Sequence, residues 1–377
     1  MSTNYKKLGD IVELIDERNK AFESLEVLGI SIDKEFMPSV ANTIGTDLSN
    51  YKLLRMNTFA CNPMHVGRDE RLPVSLYKKD IPAIVSPAYF IFRIKDETEV
   101  LPDFLMLIFK RDNFDRNCWF RTDGSVRGGI TWNDICEIKL PVPDLKEQEK
   151  IVNTYNAITK RIQLKQKINE NLEKTAQCLF NEYYRKENLE KVILSDLVDV
   201  RDGTHDSPVF ITEGYPLVTS QNLSPFYINQ KDTNKISKSD YEKINERSLV
   251  ETNDILMSMI GTVGNVSLVT DEKVTFAIKN VALLKTSKTT EYRNWVLCFL
   301  KSSNFTTWLN ETLTGSTQQY VSLGEIRKIS LKIPTINELN KFNLATNRII
   351  NMIIKETAEL VKLQELKQLV ISRISGM

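Results

Sequence analysis

The sequence predicts a duplicated α/β (α+β) fold: two mixed α/β modules separated by two long helices that form an antiparallel coiled coil. Two observations predict it. Asp103–Pro143 lies over Asn294–Pro334 without a gap at an offset of 191, and nine of the 41 aligned positions are identical: Lys110/Lys301, Asn113/Asn304, Phe114/Phe305, Gly124/Gly315, Ser125/Ser316, Ile135/Ile326, Ile138/Ile329, Leu140/Leu331 and Pro143/Pro334. Each copy then leads into a stretch whose apolar residues repeat as heptads in the same phase. A repeat this long is a duplicated domain, since solenoid units run to about 20–50 residues. The boundaries read as 1–143 for the first module, 144–188 for the first helix, 189–334 for the second module and 335–377 for the second helix.

Leu8-Gly-Asp-Ile11 and Leu194-Ser-Asp-Leu197 open the modules at an offset of 186. The change to 191 implies insertions or deletions in variable loops. Apolar runs at Ile84–Phe92 and Val274–Leu284 read as strands, and Phe104–Phe109 and Trp295–Leu300 as helices. A Gly-Ser loop and a last strand follow, and Pro143 or Pro334 stops that strand. In the first long helix the a positions are Ile151, Ile158, Lys165, Leu172 and Leu179, and the d positions Tyr155, Ile162, Asn169, Ala176 and Tyr183. Adding 191 gives Phe342, Ile349, Glu356, Leu363 and Val370 at a, and Thr346, Ile353, Leu360, Lys367 and Ile374 at d. A shared phase is what a mutual seam needs; the simpler reading is two amphipathic helices on separate bodies. An antiparallel pair related by a pseudo-two-fold brings the helix centres, Lys165 and Glu356, together, where they help to fix the register.

The chain is 41% hydrophobic and 26% charged, as expected of globular domains with sizeable cores. No apolar run approaches the ~20 residues of a membrane span, and MSTNYKKLGD has no apolar signal region, so the expected location is the cytoplasm. The five cysteines form no CxxC pair and read as reduced thiols. A net charge of +1 argues against a generic polyanion binder, though not against a reader whose basic residues share one face.

The Gly-Ser loop, Pro-Val-Pro143 or Lys-Ile-Pro334 ending the strand, Glu147-Gln148 opening the helix, and the coiled coil recur in a fixed order. The second module adds Arg201-Asp-Gly-Thr-His-Asp206, Ser220-Gln-Asn-Leu223, and Asn253-Asp-Ile-Leu256 leading to Ile260-Gly-Thr-Val-Gly264. The first adds Phe59-Ala-Cys-Asn-Pro-Met64 and Ser86-Pro-Ala-Tyr89. In this order the chain resembles the specificity subunits of type I restriction-modification systems over nearly its whole length. It departs from them where Leu339 replaces the Gln of the Glu-Gln pair, and where the first module lacks a Gly-Thr-Val-Gly loop. The resemblance implies two target recognition domains, each reading one half of a split double-stranded DNA site. It implies docking of two methyltransferase subunits, with restriction/translocase subunits joining them. No cofactor is expected in this chain; S-adenosylmethionine, ATP and Mg belong to the partners.

Gly124-Ser-Val-Arg-Gly-Gly129 aligns with Gly315-Ser-Thr-Gln-Gln-Tyr320. Glycine lets backbone approach a phosphate, arginine pairs with guanine and glutamine with adenine. Matching flanks around different tips, Arg127 against Gln318, are what readers of two half-sites need; an ordinary turn is the structural alternative. Lys110, Arg111, Arg116, Arg121 and Arg127 form a basic cluster absent from the second copy, which reads as a phosphate clamp or a solvated helix face. His205 has no second ligand at metal spacing and reads as a loop residue near DNA. The residues assigned to DNA are Arg116, Arg121, Ser125, Arg127, Thr204, His205, Lys279, Asn280, Ser316, Gln318, Gln319 and Tyr320.

Pro102-Asp103 followed by Glu137-Ile-Lys139 imitates a nuclease array. The second copy puts Arg293-Asn294 and Lys328-Ile-Ser330 there, so neither catalytic nor metal residues are assigned. No methyltransferase Pro-Pro-Tyr motif or GxxxxGK[ST] loop is present. The alternatives are a stand-alone DNA-modifying enzyme, which no motif supports, and a coiled-coil adaptor, which leaves the large modules without a role.

A helix of about 40 residues spans ~60 Å, so in this reading helix length sets the gap between half-sites. Deleting one heptad from each helix is expected to shift the unread spacer and leave both half-sites intact, as read by modified-base sequencing. A changed half-site sequence would rule out the ruler.

Overall fold

The computed structural model describes residues 4–20, 25–40, 45–64, 66–122, 128–187, 189–315 and 319–374. Two compact units divide the chain: Met1–Arg161 with Leu363–Met377, and Ile162–Lys362. The long helices, Leu145–Tyr184 and Ile336–Arg373, each contribute to both units.

In the first unit, strand Asn4–Lys7 pairs antiparallel with Lys139–Val142, the strand that precedes Pro143. Strands Val12–Ile15, Phe90–Ile94, Thr58–Cys61 and Val74–Tyr77 form an antiparallel sheet in that spatial order. A second sheet runs Phe36–Pro38, Val27–Ile30, Ala83–Val85, Lys52–Leu54, with Val27–Ile30 and Ala83–Val85 parallel. The second unit repeats this plan. Glu190–Ile193 pairs with Ser330–Ile333, and Val200–Asp202, Val281–Leu284, Ile255–Ser258 and Val266–Leu268 form the antiparallel sheet. Asn234–Ile236, Tyr215–Val218 and Ala277–Ile278 form the mixed one, again with one parallel pair. One closing bond occurs in both copies: Leu8 N–H donates to Ile138 O at 2.9 Å, and Leu194 N–H to Ile329 O at 2.8 Å.

Two expectations need correction. The runs Ile84–Phe92 and Val274–Leu284 are not single strands; each crosses from the mixed sheet to the antiparallel one, at Ser86–Tyr89 and at Lys279–Asn280. Both halves of each run are buried, so continuous hydrophobicity masks the corner. The expected module helices are Pro102–Phe109 and Thr290–Leu300, and each is followed by a second helix, Asp112–Phe120 or Ser303–Thr312, of which the sequence offered only a helix face in the first copy's basic cluster. The first of these carries Asp112, Asp115 and Arg116 around its buried Phe114 and Cys118, so its short apolar face is masked by polar residues.

The cores sit between the antiparallel sheets and the helices. Phe59 stacks on Phe92 with centroids 5.1 Å apart, and Phe109 meets both edge-on. In the second unit Phe180, Trp295 and Phe342 form the centre, all fully buried. Removing such an aromatic side chain costs about 3–5 kcal/mol.

The helix seam is antiparallel in each unit. In the first, Tyr155 lies under Lys367, whose Nζ is 5.0 Å from the ring centroid, and Ile151, Ile371 and Ile374 share one core. In the second, Phe180 meets Phe342 and Lys186 pairs with Glu338 at 2.7 Å. The buried stripe is wider than the a and d positions, taking in Val152, Phe180, Leu339, Ile350 and Ile371, because each helix packs on a module as well as on its neighbour.

Lys165 and Glu356 meet: Lys165 Nζ lies 2.5 Å from Glu356 Oε2 and 2.6 Å from Glu359 Oε2, with the lysine side chain 12% exposed. The hydrogen bonds that Lys165 donates to Glu356 and then to Glu359 raise its pKa, which keeps it charged. Asn169 Nδ2 donates to Thr357 Oγ1 one turn away. Lys165→Glu is expected to destabilise the second unit by about 3 kcal/mol. Adding Glu356→Lys should recover part of the loss, a coupling of ~1 kcal/mol or more in denaturant melts. Strict additivity would remove the pair from any role in register.

Candidate nucleic-acid interface

Four of the residues singled out in the second module come together at one corner. The chain turns there from the mixed sheet to the antiparallel one, with Asn280 in the left-handed region at φ 54°. Thr204 clasps the turn: its N–H donates to Ile278 O at 3.0 Å, and Asn280 N–H donates to Thr204 O at 3.1 Å. Gly203 makes this approach possible, since a Cβ there would lie 2.2 Å from Ile278 O. The glycine of Asp-Gly-Thr-His is therefore required by packing of backbone on backbone.

His205 projects from this clasp. Its Nδ1 lies 2.8 Å from Asn280 Oδ1 and its Nε2 2.8 Å from Asp202 Oδ2. With oxygen acceptors at both nitrogens, the doubly protonated ring is the form that satisfies both. The Asn280 amide oxygen, and then the Asp202 carboxylate, hold its pKa above the ordinary histidine value of 6.5. Arg247 Nη2 donates to the other Asp202 oxygen at 2.8 Å, and Lys279 Nζ to Ser207 Oγ at 2.7 Å. His205 and Arg247 thus flank the Asp202 carboxylate from two sides, while Lys279 engages the loop hydroxyl of Ser207. A cleft of about 480 Å³ lies beside them, lined by Thr204, His205, Lys243 and Arg247 among others. Asp202 and Arg247 were missed in the sequence. Asp202 stood inside the quoted motif, whereas Arg247 gave no local signal.

The glycine loops adjoin this corner. Lys279 N–H donates to Val218 O, which leads into Ser220-Gln221-Asn222. Asn222 is buried and caps Thr219, while Gln221 is exposed. Ser220 Oγ lies 3.8 Å from the position of a Cβ on Gly261, itself at φ 81°. Ile260, just before Gly261, bridges to Tyr320, which also bridges to Thr314. Gln319 and the 44%-exposed Tyr320 lie on this rim. Ser316 and Gln318, like Ser125 and Arg127 of the first module, lie outside the described residues. Asn253-Asp254 proves structural: fully buried Asp254 holds Lys285 at 2.6 Å.

The first module builds the rim differently. Ile130 N–H donates to Pro63 O at 3.1 Å, as Val321 N–H does to Met259 O at 3.0 Å, so the return from each Gly-Ser segment is anchored alike. A helical turn, Val66–Asp69, follows Phe59–Met64 in place of Gly-Thr-Val-Gly. At the sheet-to-sheet corner, Ala88 and Tyr89 occupy the positions of Lys279 and Asn280. The basic cluster separates: Arg116 is exposed and Arg121 half-buried, but Arg111 is 7% exposed and Lys110 half-buried over the Tyr155 ring. Lys110 and Arg111 therefore face the protein more than solvent. Both carboxylates of the nuclease-like motif are engaged by other lysines, Asp103 by Lys78 and Glu137 by Lys7 at 2.8 Å.

All five cysteines are free thiols, and burial pushes Cys61 and Cys298 up to about 12. Among the described residues, no group of three metal-ligating side chains is present, and no helix is long and apolar enough to cross a membrane.

Comparison with known proteins follows the same lines. The crystal structure of a type I restriction-modification system S subunit from M. genitalium superposes with a TM-score of 0.59 at 13% identity, covering 99% of this chain and 96% of that one, and so shares the fold. The type I restriction enzyme HindI specificity subunit of Haemophilus influenzae is 30% identical over 89 residues; these are 22% of this chain and 19% of that relative. The family model described as type I restriction modification DNA specificity domain matches residues 72–174 and 186–369, and the chain belongs to that family.

Proposed function

We propose that this chain is the sequence-reading subunit of a type I restriction-modification complex, with each module reading one half of a bipartite DNA site. The observation that carries the reading is the pair of rims: one scaffold, built twice, presents different side chains in matching positions. Lys279 and Asn280 stand where the first module has Ala88 and Tyr89, and Arg116 stands where the second has Thr307. A scaffold that keeps its anchors and varies its tips is suited to two unlike half-sites.

In this reading Thr204, His205, Lys279, Asn280, Gln319 and Tyr320 face the second half-site, and Arg116 and Arg121 the first. Ser125, Arg127, Ser316 and Gln318 belong to the same proposal through their sequence alone. The chain does no chemistry itself. Methyl transfer, with S-adenosylmethionine, falls to two methyltransferase subunits, and ATP- and Mg-dependent cleavage to restriction/translocase subunits, in the cytoplasm. The helices offer these partners a scaffold.

Modified-base sequencing of host DNA, with and without this chain and beside its methyltransferase partner, tests the proposal. A split motif methylated on both strands, lost on deletion, is the expected result. Unchanged methylation with both proteins expressed would overturn it.

A second expectation concerns pH. The raised His205 pKa makes the cation the dominant form below 6.5, and the charge is lost as pH rises through the folded-state value. DNA phosphates favour the cation further. Affinity for the cognate duplex should therefore fall as pH rises through the imidazole range, and His205→Gln should flatten that limb. A wild-type-like pH profile in His205→Gln would place the ring away from DNA.

A further inference from the structure

The outer face of helix Asp112–Phe120 is exposed, and its composition is unusual. Its inner face is fixed. Phe114 and Cys118 enter the core, and Asp115 is held by Lys34 at 2.7 Å and by the Leu72 N–H at 3.0 Å. Asn113, Arg116 and Phe120 follow at spacings of three and four, which align them on one outward stripe. Asn113 and Arg116 are exposed, Phe120 is 84% exposed, and Trp119 beside it is 43% exposed. A phenylalanine so placed contributes little to folding, because its ring stays in water.

The second copy shows what has been kept and what has changed. Buried Phe114 is matched by buried Phe305, and Asn113 by Asn304. Arg116 and Phe120 are replaced by Thr307 and Glu311. The aromatic residue of the second helix, Trp308, instead stacks on Phe305 at 5.5 Å. The seat of the helix and Asn113 are retained, while Arg116 and Phe120 of the outward stripe are rewritten, as at the rims. The stripe also carries side chains with base-edge chemistry: asparagine for adenine, arginine for guanine, and an apolar ring for the thymine methyl. Arg121 and Thr122 then lead in sequence to Gly124-Ser125.

The geometry points to this stripe as a base-reading surface for the first half-site, with Phe120 contacting a thymine methyl group in the major groove. The inference rests on the DNA-reading role proposed above. Arg116 on the stripe and Arg121 just beyond the helix favour DNA over a protein partner, since they supply the positive charge that phosphates attract.

The test uses the full chain with its methyltransferase partner. The wild-type motif is first read by modified-base sequencing. Binding is then measured on duplexes in which uracil replaces each thymine of the first half-site in turn. For the wild type, one uracil substitution should weaken binding about 5-fold or more, and Phe120→Ala should abolish that sensitivity. The same variant should lose about 5- to 100-fold of discrimination at that base pair, within the range of single mismatches, and leave the second half-site unchanged. Phe120→Leu, which keeps an apolar group, should retain part of the effect. Unchanged discrimination in Phe120→Ala overturns the inference alone. So does loss of methyltransferase co-purification with both half-sites preserved, which would make the stripe a protein-docking surface. Absence of any bipartite motif with the wild-type chain overturns the DNA-reading role itself, and this inference with it.

Discussion

The antiparallel pairing of each module's first strand with its last is the constraint on which the rest hangs. Because Asn4–Lys7 lies along Lys139–Val142, and Glu190–Ile193 along Ser330–Ile333, each module ends beside its own beginning. The proline after the last strand then releases the chain into a long helix. In the first module Gln148 fastens that helix: it is fully buried, accepts from Leu101 N–H at 2.9 Å, and donates to Glu99 O and Pro143 O at 2.8 Å. Leu339 takes this place in the second module and is buried as part of the apolar core. One joint is polar and directional and the other is packed, which explains why the Glu-Gln motif is incomplete in the second copy.

Much of this plan was legible because four of the nine identities between copies fall on core positions. Phe114/Phe305, Ile135/Ile326, Ile138/Ile329 and Leu140/Leu331 are all at most 3% exposed. Core positions tolerate little change in volume, so they preserve the alignment that loops lose. The heptad phase revealed the seam and brought Lys165 and Glu356 into view for the same reason. What sequence could not supply was partner identity across long separations. Alternation and hydrophobicity say that a residue is buried, not which sheet it joins, so the corners at Ser86–Tyr89 and Lys279–Asn280 were hidden inside apolar runs. Arg247 reaches Asp202 from 45 residues away, and only the fold brings it there.

The paired lysines Lys110 and Lys301 show how far two copies of one position can diverge. Lys301 sits 2.6 Å from Glu173 and over the ring of Phe226. The position that matches Glu173 in the second helix is Gln364, and the one that matches Ala176 is Lys367. Lys110 accordingly has a lysine neighbour, and burial followed by repulsion from Lys367 lowers its pKa. Identity in an alignment therefore did not preserve environment, and the basic cluster read from sequence was a mixture of buried and exposed charge.

The first unit is discontinuous in sequence. Ile371 and Ile374 complete the core that Ile151, Val152 and Tyr155 begin, yet they are translated after the whole second module. On the ribosome, the apolar face of the first helix therefore waits uncovered while more than half of the protein is made. The second unit, continuous from Ile162 to Lys362, waits less long, because Phe342, Ile350 and Ile353 that cover Phe180 follow its module directly. Synthesis order thus favours completion of the second unit first, and leaves apolar surface of the first unit uncovered until the final helix emerges.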